Sequence, residues 1–338
     1  MRLERGLISL DFLNHFISKR LPFLIFFVGI STYFSPYHWK VYTWVPSVLL
    51  GVVIFFTGLS MDLSSIKNIH KKKKELFIAS FLKWTVTVFI SIGLAMLFFS
   101  NQPDIAAGMI LSGVVPSATA ATLYTFLASG NTSLVVSASL LDVFISPIVT
   151  PLSMLGISNL QIQISFFSLL KSFFIIVFVP LSIGLVFQRY LPTLVTYSKS
   201  VTRLGSSLTL LLIIHMLVGN SREAISSEIK VIPLLAVVTF FQVLIPMILS
   251  YVIALKLSLT KEDARAILFH VGLCNTALAA ILAFEFIGPL ASIAPIVNMI
   301  FNLSLGALFA NYFARKNSSS LEMKGDMRAV NKIIKGIN

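Results

Sequence analysis

Gly113-Val-Val-Pro116-Ser-Ala-Thr119 interrupts an apolar stretch over residues 105–129, and His270-Val-Gly272-Leu-Cys274-Asn275-Thr276 interrupts a second one over residues 264–286. Within a bilayer such helix-breaking and small polar residues are unfavourable, because the backbone groups that they free find no water there. The two breaks hold matching places in the two halves of the chain. Interrupted spans at corresponding positions are typical of the binding site of a secondary transporter with inverted repeats.

The composition around these breaks is that of a membrane protein. Hydrophobic residues make up 57% of the 338 and charged residues 12%, with a mean hydropathy of +0.92. Soluble domains have about 45–50% apolar and about 25% charged residues. Basic residues precede the first apolar run, as in a signal peptide, but no small-x-small cleavage site follows, so no cleavage is expected. The composition therefore predicts an all-α integral membrane protein.

Ten segments have the roughly 20 largely apolar residues that cross a bilayer. They cover residues 21–35, 42–61, 76–100, 105–129, 132–154, 164–188, 201–219, 231–255, 264–286 and 288–313. Five spans per half is an odd number, so the second half is inverted relative to the first. We predict two inverted five-helix repeats in which spans four and nine are broken and cross. The repeats occupy residues 21–154 and 155–313, after an interfacial N-terminal segment at 1–20 and before a basic tail at 314–338.

The distribution of positive charge predicts the orientation of the chain. Of the 26 Lys and Arg residues, 21 fall in the two terminal segments and in the loops that an N-inside topology places on the same side. Cytoplasmic loops carry this excess. We therefore expect a multi-pass protein of the cell (plasma) membrane with both termini in the cytoplasm. The run Lys71–Lys74 then lies beside anionic lipid as a topology determinant, and the net charge of +13 does not indicate nucleic-acid binding.

The small polar residues of the breaks are the candidate substrate contacts. Each half-helix that begins in a break presents free N–H groups and a partial positive charge near the middle of the membrane, which favours an anionic group. The predicted substrate-binding residues are Pro116, Ser117, Thr119, Thr122, Gly272, Asn275 and Thr276. The alternative is that these residues serve only close helix packing, as small residues do in membranes.

Three ionisable residues, Lys83, Asp142 and His270, lie inside predicted spans three, five and nine. An unpaired charge there costs at least a few kcal/mol, so each residue should face the bundle interior with a partner or change its protonation. An ion pair between Lys83 and Asp142 is the simplest pairing, either as a structural salt bridge or as part of ion coupling. His270 is suited to titrate near neutral pH or to stay a neutral hydrogen-bonding residue.

Three motifs resemble the bile acid:sodium symporter family, in its bacterial branch. They are Thr57–Met61 at the end of span two, Gly113–Ala120 in span four and His270–Asn275 in span nine, and the resemblance covers roughly residues 20–313. It implies a panel domain of spans one, two, six and seven and a core domain of the remaining six spans. It also implies a small organic anion, such as a bile-acid-like or pantoate-like compound, bound in the crevice between the domains and against the broken helices.

The chain departs from the family where sodium binds. The family's Ser-Asn pair in span four appears as Ala121-Thr122, its Glu and Gln in span nine as His270 and Cys274, and its Gln in span three as Ser80. Asn275 keeps the expected chemistry, as does Ser139 in place of a Thr. Hard cations prefer several oxygen ligands, including a carboxylate.

Six residues are therefore the candidates for ion coupling: Ser80, Lys83, Ser139, Asp142, His270 and Cys274. Our hypothesis is that the Lys83 ammonium replaces one bound sodium ion, with His270 or Asp142 carrying a coupling proton. The transported ion is then sodium or a proton, and no cofactor or resident metal is expected.

These features predict a secondary active transporter that moves a small organic anion by alternating access, coupled to an ion gradient. One alternative is an arsenite or oxyanion efflux permease of the related superfamily, which the thiol of Cys274 fits. Another is a membrane sensor that binds a ligand without moving it. An enzyme is not expected, because the chain has no HExxH or GxSxG motif and no carboxylate pair in one span. The oligomeric state does not follow from the sequence.

Overall fold

The computed structural model describes residues 20–37, 41–61, 72–155, 165–190 and 192–335, with side chains up to residue 316 except at 155 and 192–203. The predicted interfacial segment before residue 20 and most of the basic loop after span two lie outside these ranges. Within them the regular structure is helical, and the one β-type pairing is an isolated bridge between Ser117 and Cys274.

Helices follow one another in the order that the apolar segments predict. They are α1 (Arg20–Phe34), α2 (Trp44–Ser60), α3 (Lys73–Phe99), α4 (Pro103–Gly113), α5 (Ala120–Leu127), α6 (Thr132–Leu155), α7 (Phe166–Tyr190), α8 (Pro192–Asn220), α9 (Arg222–Ser227), α10 (Ile229–Lys256), α11 (Lys261–Gly272), α12 (Thr276–Phe286) and α13 (Ile293–Lys335). A five-residue π-helical turn interrupts α3 at Lys83–Thr87 and α7 at Phe174–Phe178.

In the described ranges, five helical segments are long and apolar enough to cross a membrane: α3, α6, α7, α10 and the part of α13 with its preceding turn, Leu290–Lys316. Shorter apolar helices are α1, α2, α12 and the Leu204–Asn220 part of α8. Predicted spans four and nine are each divided into two helices, α4 with α5 and α11 with α12. Predicted span ten ends at residue 313, whereas α13 continues to Lys335, because the following residues include good helix formers and no proline.

Helix α2 packs against α7 and α8. The contact with α7 is made by two glycines: a Cβ atom at Gly58 would lie 2.6 Å from the carbonyl oxygen of Leu181, and one at Gly184 would lie 2.2 Å from that of Phe55. Small residues allow this close approach of two backbones, which gives van der Waals contact and drives helix association in a membrane. Helices α2 and α7 are therefore held together by direct backbone contact and behave as one unit.

The other helices pack around α4 and α12. Every residue of Ile105–Gly113 in α4 and of Thr276–Phe284 in α12 is buried, whereas Phe89 of α3 is 71% exposed and Phe167 of α7 77% exposed. A helix that is buried all round needs neighbours on all sides, and large exposed apolar side chains are expected on a surface that faces lipid. The chain therefore places its two broken spans at the centre of the bundle.

Candidate functional site

The two breaks meet at the centre of the bundle. Helix α4 ends at Gly113 and α5 begins at Ala120, while α11 ends at Gly272 and α12 begins at Thr276. The N–H of Ala118 donates to the carbonyl of Leu273, and the N–H of Asn275 donates to the carbonyl of Pro116, both at 2.8 Å. The backbone groups that each break frees are thus bound by the other break. Both predicted interruptions are confirmed, and they contact each other.

Side chains from other helices bind the remaining free carbonyls. Thr87 donates to the carbonyl of Val271 at 2.9 Å, Asn302 donates to that of Cys274 at 2.8 Å, and Thr150 donates to that of Val114. Unpaired carbonyls in a dry interior cost several kcal/mol, so these three residues stabilise the broken conformation. Our sequence reasoning did not identify them. Asn298 and Asn302 lie one turn apart in an apolar span, and this pattern would have indicated Asn302 from the sequence.

The helices that begin in the breaks differ in how they are capped. The Oδ1 atom of Asn275 accepts from the N–H of Leu278 at 3.2 Å and so caps α12. Thr119 makes no such bond at the start of α5, and its side chain is exposed. The N-terminus of α5 therefore has no capping side chain that offsets its partial positive charge.

A cavity of about 720 Å³ lies against the breaks. One wall consists of backbone and polar side chains from the breaks and from α5, α6 and α13: Pro116, Ser117, Thr119, Thr122, Ser139, Cys274, Asn275, Thr276 and Asn302. The opposite wall comes mainly from α2, α7 and α8 and is mostly apolar, with Leu50, Val53, Ile54, Val177, Leu181, Leu210 and Ile213 beside the hydroxyl residues Thr57, Ser60, Ser206 and Ser207. A cavity of about 300–1,000 Å³ is the usual size of a small-molecule site.

The cavity extends to one end of the bundle, and at the other end, here called its closed end, hydrogen bonds between side chains join the helices. It reaches Ser60 and Met61 at the end of α2 and Thr132 at the start of α6. Beyond its closed end, Ser221 and Ser292 are hydrogen-bonded through their hydroxyls at 3.1 Å. At the same end Ser47 donates to Glu285 at 3.1 Å, and Thr32 contacts His215 at 2.8 Å. These side-chain contacts join α1 to α8, α2 to α12, and the end of α8 to the turn before α13.

Six of the seven predicted substrate-binding residues line this cavity, namely Pro116, Ser117, Thr119, Thr122, Asn275 and Thr276. Gly272 lies behind the wall, where a Cβ atom would be 2.0 Å from Cγ of Met247, so its lack of a side chain serves packing. Of the predicted ion-coupling residues, Ser139 and Cys274 face the cavity. Ser80 lies instead on an apolar groove at the surface, lined by α3 and α6 side chains.

The three ionisable residues of the predicted spans lie together but not in the predicted pairing. The Nζ atom of Lys83 contacts Sγ of Cys274 at 2.8 Å. Asp142 accepts from Trp84 Nε1 at 2.9 Å and from the N–H of Ser117 at 3.0 Å, and its Oδ2 atom lies 3.6 Å from His270 Nε2. The predicted direct ion pair of Lys83 and Asp142 is therefore wrong. The carboxylate accepts hydrogen bonds from Trp84 and Ser117 instead, and the ammonium reaches the second break.

Some oxygen atoms beside these residues are engaged in hydrogen bonds, whereas the hydroxyls of Ser139 and Ser146 and the Oδ1 atom of Asn302 have no hydrogen-bond partner among the described residues. Both carboxylate oxygens of Asp142 accept N–H groups, and Oδ1 of Asn275 caps α12. The carbonyl of Leu273 accepts from the N–H of Ala118 and from the hydroxyl of Ser117. A hard cation prefers several free oxygens including a carboxylate, and here the carboxylate of Asp142 and the amide oxygen of Asn275 are already engaged.

A polar network holds the first turn of α11 to the loop before α6. Asp263 precedes predicted span nine and is buried. It accepts from Lys72 at 2.5 Å, from Asn131 at 2.7 Å and from Thr260 at 2.8 Å. Burial acts to raise the pKa of Asp263, but these bonds and the Lys72 charge outweigh it, so the pKa lies below its ordinary value.

We expect Asp263→Asn to lower the free energy of unfolding at neutral pH by about 1.5–3 kcal/mol, the usual contribution of a hydrogen bond to a charged group. A lowered pKa in the folded state contributes stability above the unfolded pKa of about 4, and this contribution is lost as the pH falls through the lowered value. Thermal unfolding of the purified protein should show a gap between wild type and variant that closes in acid. Glu223→Gln, at an exposed carboxylate of α9, is the matched control.

A gap that is unchanged between neutral and acidic pH would contradict this assignment, because the loss would then come from packing and not from charge.

Comparison with known proteins agrees with this geometry. The model of the sodium bile acid symporter family matches residues 47–228. The chain is 26% identical over 308 residues to the uncharacterized sodium-dependent transporter YocS of Bacillus subtilis (strain 168), covering 90% of this chain and 94% of that protein. It is also 25% identical over 289 residues to the probable sodium/metabolite cotransporter BASS1, chloroplastic, of Arabidopsis thaliana, covering 85% of this chain and 71% of that protein.

Proposed function

Since this chain belongs to the sodium bile acid symporter family, whose members are transporters and not enzymes, we propose that it carries a small amphipathic organic anion across the cell membrane by alternating access. The cavity at the meeting of the two breaks carries this proposal. It has the volume of a small-molecule site, with polar groups of the breaks on one side and mostly apolar side chains of α2, α7 and α8 on the other.

The polar wall suits the charged end of such a solute. The start of α5 offers a partial positive charge with no capping side chain, and Ser117, Thr119 and Thr122 offer hydroxyl donors. Leu181 and Ile213 stand on the apolar wall. A solute with a carboxylate at one end and a hydrocarbon body at the other satisfies both walls. Bile-acid-like and pantoate-like compounds have this chemistry.

The helix order supports the finer architecture that we propose. If α4 with α5 and α11 with α12 each count as one interrupted span and the short α9 is left out, α1–α13 make ten passes. Five of them precede residue 156 and five follow residue 164. The wall of α2, α7 and α8, together with α1, then acts as the panel, and the remaining helices act as the core. Movement between these two groups would expose the cavity to each side in turn.

The open end of the cavity lies near the termini of α2 and α6, beside the loops that carry most of the positive charge. Under the positive-inside rule this is the cytoplasmic side, so we assign the conformation as inward-facing. The contacts between Ser221 and Ser292 and between Ser47 and Glu285 then close the extracellular side.

Two other functions fit the observations less well. Efflux of arsenite would use thiols, and the chain has one cysteine, whose Sγ atom contacts Lys83. A sensor that binds without transport would share the cavity, but it would not need a site joined to both halves of the chain by backbone hydrogen bonds. Only movement of solute across the membrane distinguishes a transporter from such a sensor, so counterflow of solute is the decisive assay.

The proposal is tested with the purified full chain in liposomes, using taurocholate, pantoate and pyruvate as probes. A compound that raises the unfolding temperature should also exchange in counterflow. We expect Thr119→Val to raise the half-saturating concentration of that compound about tenfold, the effect of losing about 1.4 kcal/mol. The variant keeps the shape of the side chain and removes a hydroxyl that faces the cavity.

Thr85→Val is the matched control, because its hydroxyl donates to the carbonyl of Phe81 on α3, away from the cavity. Binding without counterflow would favour the sensor. Equal affinities for wild type and Thr119→Val would contradict the placement of the anionic group.

A further inference from the structure

Lys83, Asp142 and His270 form one buried ionisable cluster behind the polar wall of the cavity. Each of the three residues is 0% exposed, and they come from three different helices, α3, α6 and α11. The cluster is joined to both breaks: Lys83 contacts Cys274, and Asp142 accepts the N–H of Ser117. Ionisable residues buried at membrane depth are rare, because an unbalanced charge there costs at least a few kcal/mol. Their placement at the point where the breaks meet therefore indicates a role in binding or coupling.

His270 is the incompletely bonded member of this cluster. Neither of its ring nitrogens has a hydrogen-bond partner among the described residues, although the imidazole is fully buried. Its Nε2 atom lies 3.6 Å from Oδ2 of Asp142, which is beyond a hydrogen bond. Protonation would give Nε2 a hydrogen directed at a carboxylate. A small movement of α11 toward α6 would then close a charge-assisted bond.

The other ionisable groups that the described helices place around α11 are engaged elsewhere or lie at helix ends, so they do not accept a hydrogen bond from His270. Within the ranges that the structure describes, the helices around α11 carry the following groups besides Lys83 and Asp142. Tyr124 of α5 donates to the carbonyl of Leu303, and Tyr251 of α10 packs on Phe313. The remaining groups lie at helix ends: Lys73, Lys74 and Glu75 in the first turn of α3, Lys230 and Lys256 at the two ends of α10, and Tyr312, Arg315 and Lys316 near residue 316 of α13. The Cys274 thiol is occupied by Lys83. Asp142 is thus the acceptor that a protonated His270 meets.

The net charge of the cluster changes with the protonation of His270. An ammonium at Lys83 and a carboxylate at Asp142 cancel, so a neutral His270 leaves the cluster without net charge. A proton on His270 adds one positive charge in a medium of low dielectric constant. A monoanion in the cavity, on the other side of Ser117 and Cys274, cancels that charge. Binding of the proton and binding of the anion therefore favour each other, and this coupling is reciprocal by thermodynamic linkage.

We propose that His270, paired with Asp142, binds a proton that travels with the organic anion, and that the fixed ammonium of Lys83 excludes sodium from the same place. This inference rests on the proposed transport function and identifies the coupled ion. One proton from water on one side binds Nε2 of His270 and is released to water on the other side, so a monoanion and a proton cross without net charge. The carboxylate of Asp142 and the amide oxygen of Asn275 already accept hydrogen bonds, which disfavours a sodium ion bound to these two groups.

The first test needs no substrate and no transport. The unfolding temperature of the purified full chain is measured from about pH 5.5 to 8.5, the range in which histidine titrates. Sodium chloride is compared with N-methylglucamine chloride at equal ionic strength. We expect the wild-type protein to shift with pH and to be the same in both salts. A stabilisation by sodium at constant pH would overturn the proposal without any variant.

Variants then assign the titrating group. His270→Gln and Asp142→Asn should each remove the pH-dependent shift, whereas His215→Gln should keep it, because His215 contacts Thr32 at the closed end. If both cluster variants fold and keep the wild-type pH response, the proposal is wrong. If one of them does not fold, the other and the comparison of salts still decide the question.

The second test follows protons directly. Proteoliposomes that contain a pH-sensitive dye are mixed with taurocholate or pantoate, whichever is active in counterflow. We expect the interior to acidify as the anion enters in wild type and no acidification in His270→Gln. Anion entry that requires sodium and leaves the interior pH unchanged would overturn proton coupling. A protein that exchanges none of the probes but keeps its pH-dependent stability contradicts the proposed function and not the assignment of His270.

Discussion

Uptake of the transported anion is expected to fall to the level of protein-free liposomes when cysteines at positions 221 and 292 are oxidised to a disulfide. The hydroxyls of Ser221 and Ser292 are 3.1 Å apart and buried at the closed end of the cavity. Small rotations of cysteine side chains in these places bring two sulfur atoms to the bonding distance of about 2 Å. The bond joins the end of α8 to the turn before α13. If transport requires these groups of helices to separate, the inward-facing conformation is locked.

Reduction should restore uptake to the level of the unoxidised variant. Ser221→Cys and Ser292→Cys alone are the controls, and both keep the native Cys274, which is buried beside Lys83 and unsuited to cross-linking. The readout is counterflow before and after oxidation, with the extent of cross-linking measured by mass spectrometry. Full cross-linking with full counterflow would show that this end does not open during transport.

Gly108→Ala is expected to destabilise the fold strongly, because Gly108 packs directly against a backbone carbonyl of another part of the chain. A Cβ atom at Gly108 would lie 1.8 Å from the carbonyl oxygen of Ala291 and 2.8 Å from its carbonyl carbon. A backbone carbonyl cannot rotate away as a flexible side chain can, so α4 and the turn before α13 would have to separate. Overpacking of this kind costs about 1–3 kcal/mol or more. Thermal unfolding in detergent is the measurement.

Gly93→Ala in α3 is the matched control, because nothing lies within 4 Å of a Cβ atom there. Alanine has a higher helix propensity than glycine by about 1 kcal/mol, so this control should be neutral or stabilising. An unfolding temperature of Gly108→Ala equal to that of Gly93→Ala would mean that α4 and the turn before α13 are not in contact in solution.

The interruptions of the central spans follow from the sequence because their cause is local. Pro116 removes a hydrogen bond wherever it lies in a helix, and the surrounding apolar residues place it at membrane depth. The partners of the interrupted backbone are not local. Thr87, Thr150 and Asn302 lie on three other helices, and their hydroxyl and amide groups reach the breaks only after the bundle has packed. Sequence periodicity holds no information about such contacts.

The error in the partner of Lys83 has a similar cause. Opposite charge and shared depth pointed to Asp142, but pairing by charge alone ignores competing donors. Trp84 follows Lys83 directly in α3 and takes one oxygen of Asp142, while the N–H of Ser117 takes the other. The π-helical turn that begins at Lys83 also changes the direction of the side chains that follow it, and its position is not predictable from residue propensities.

The antiparallel bridge between Ser117 and Cys274 has a consequence for how the chain is made. Pro116 and Ala118 have their hydrogen-bonding partners about 155–160 positions later in the sequence, at Asn275 and Leu273. Until the ribosome has delivered that second stretch, the first interruption exposes bare peptide groups to hydrocarbon, at several kcal/mol for each group. The newly inserted N-terminal half should accordingly depend on an insertase or chaperone, and a nascent chain released before residue 275 should be cleared by membrane proteases. Co-expression of the missing C-terminal half should protect it.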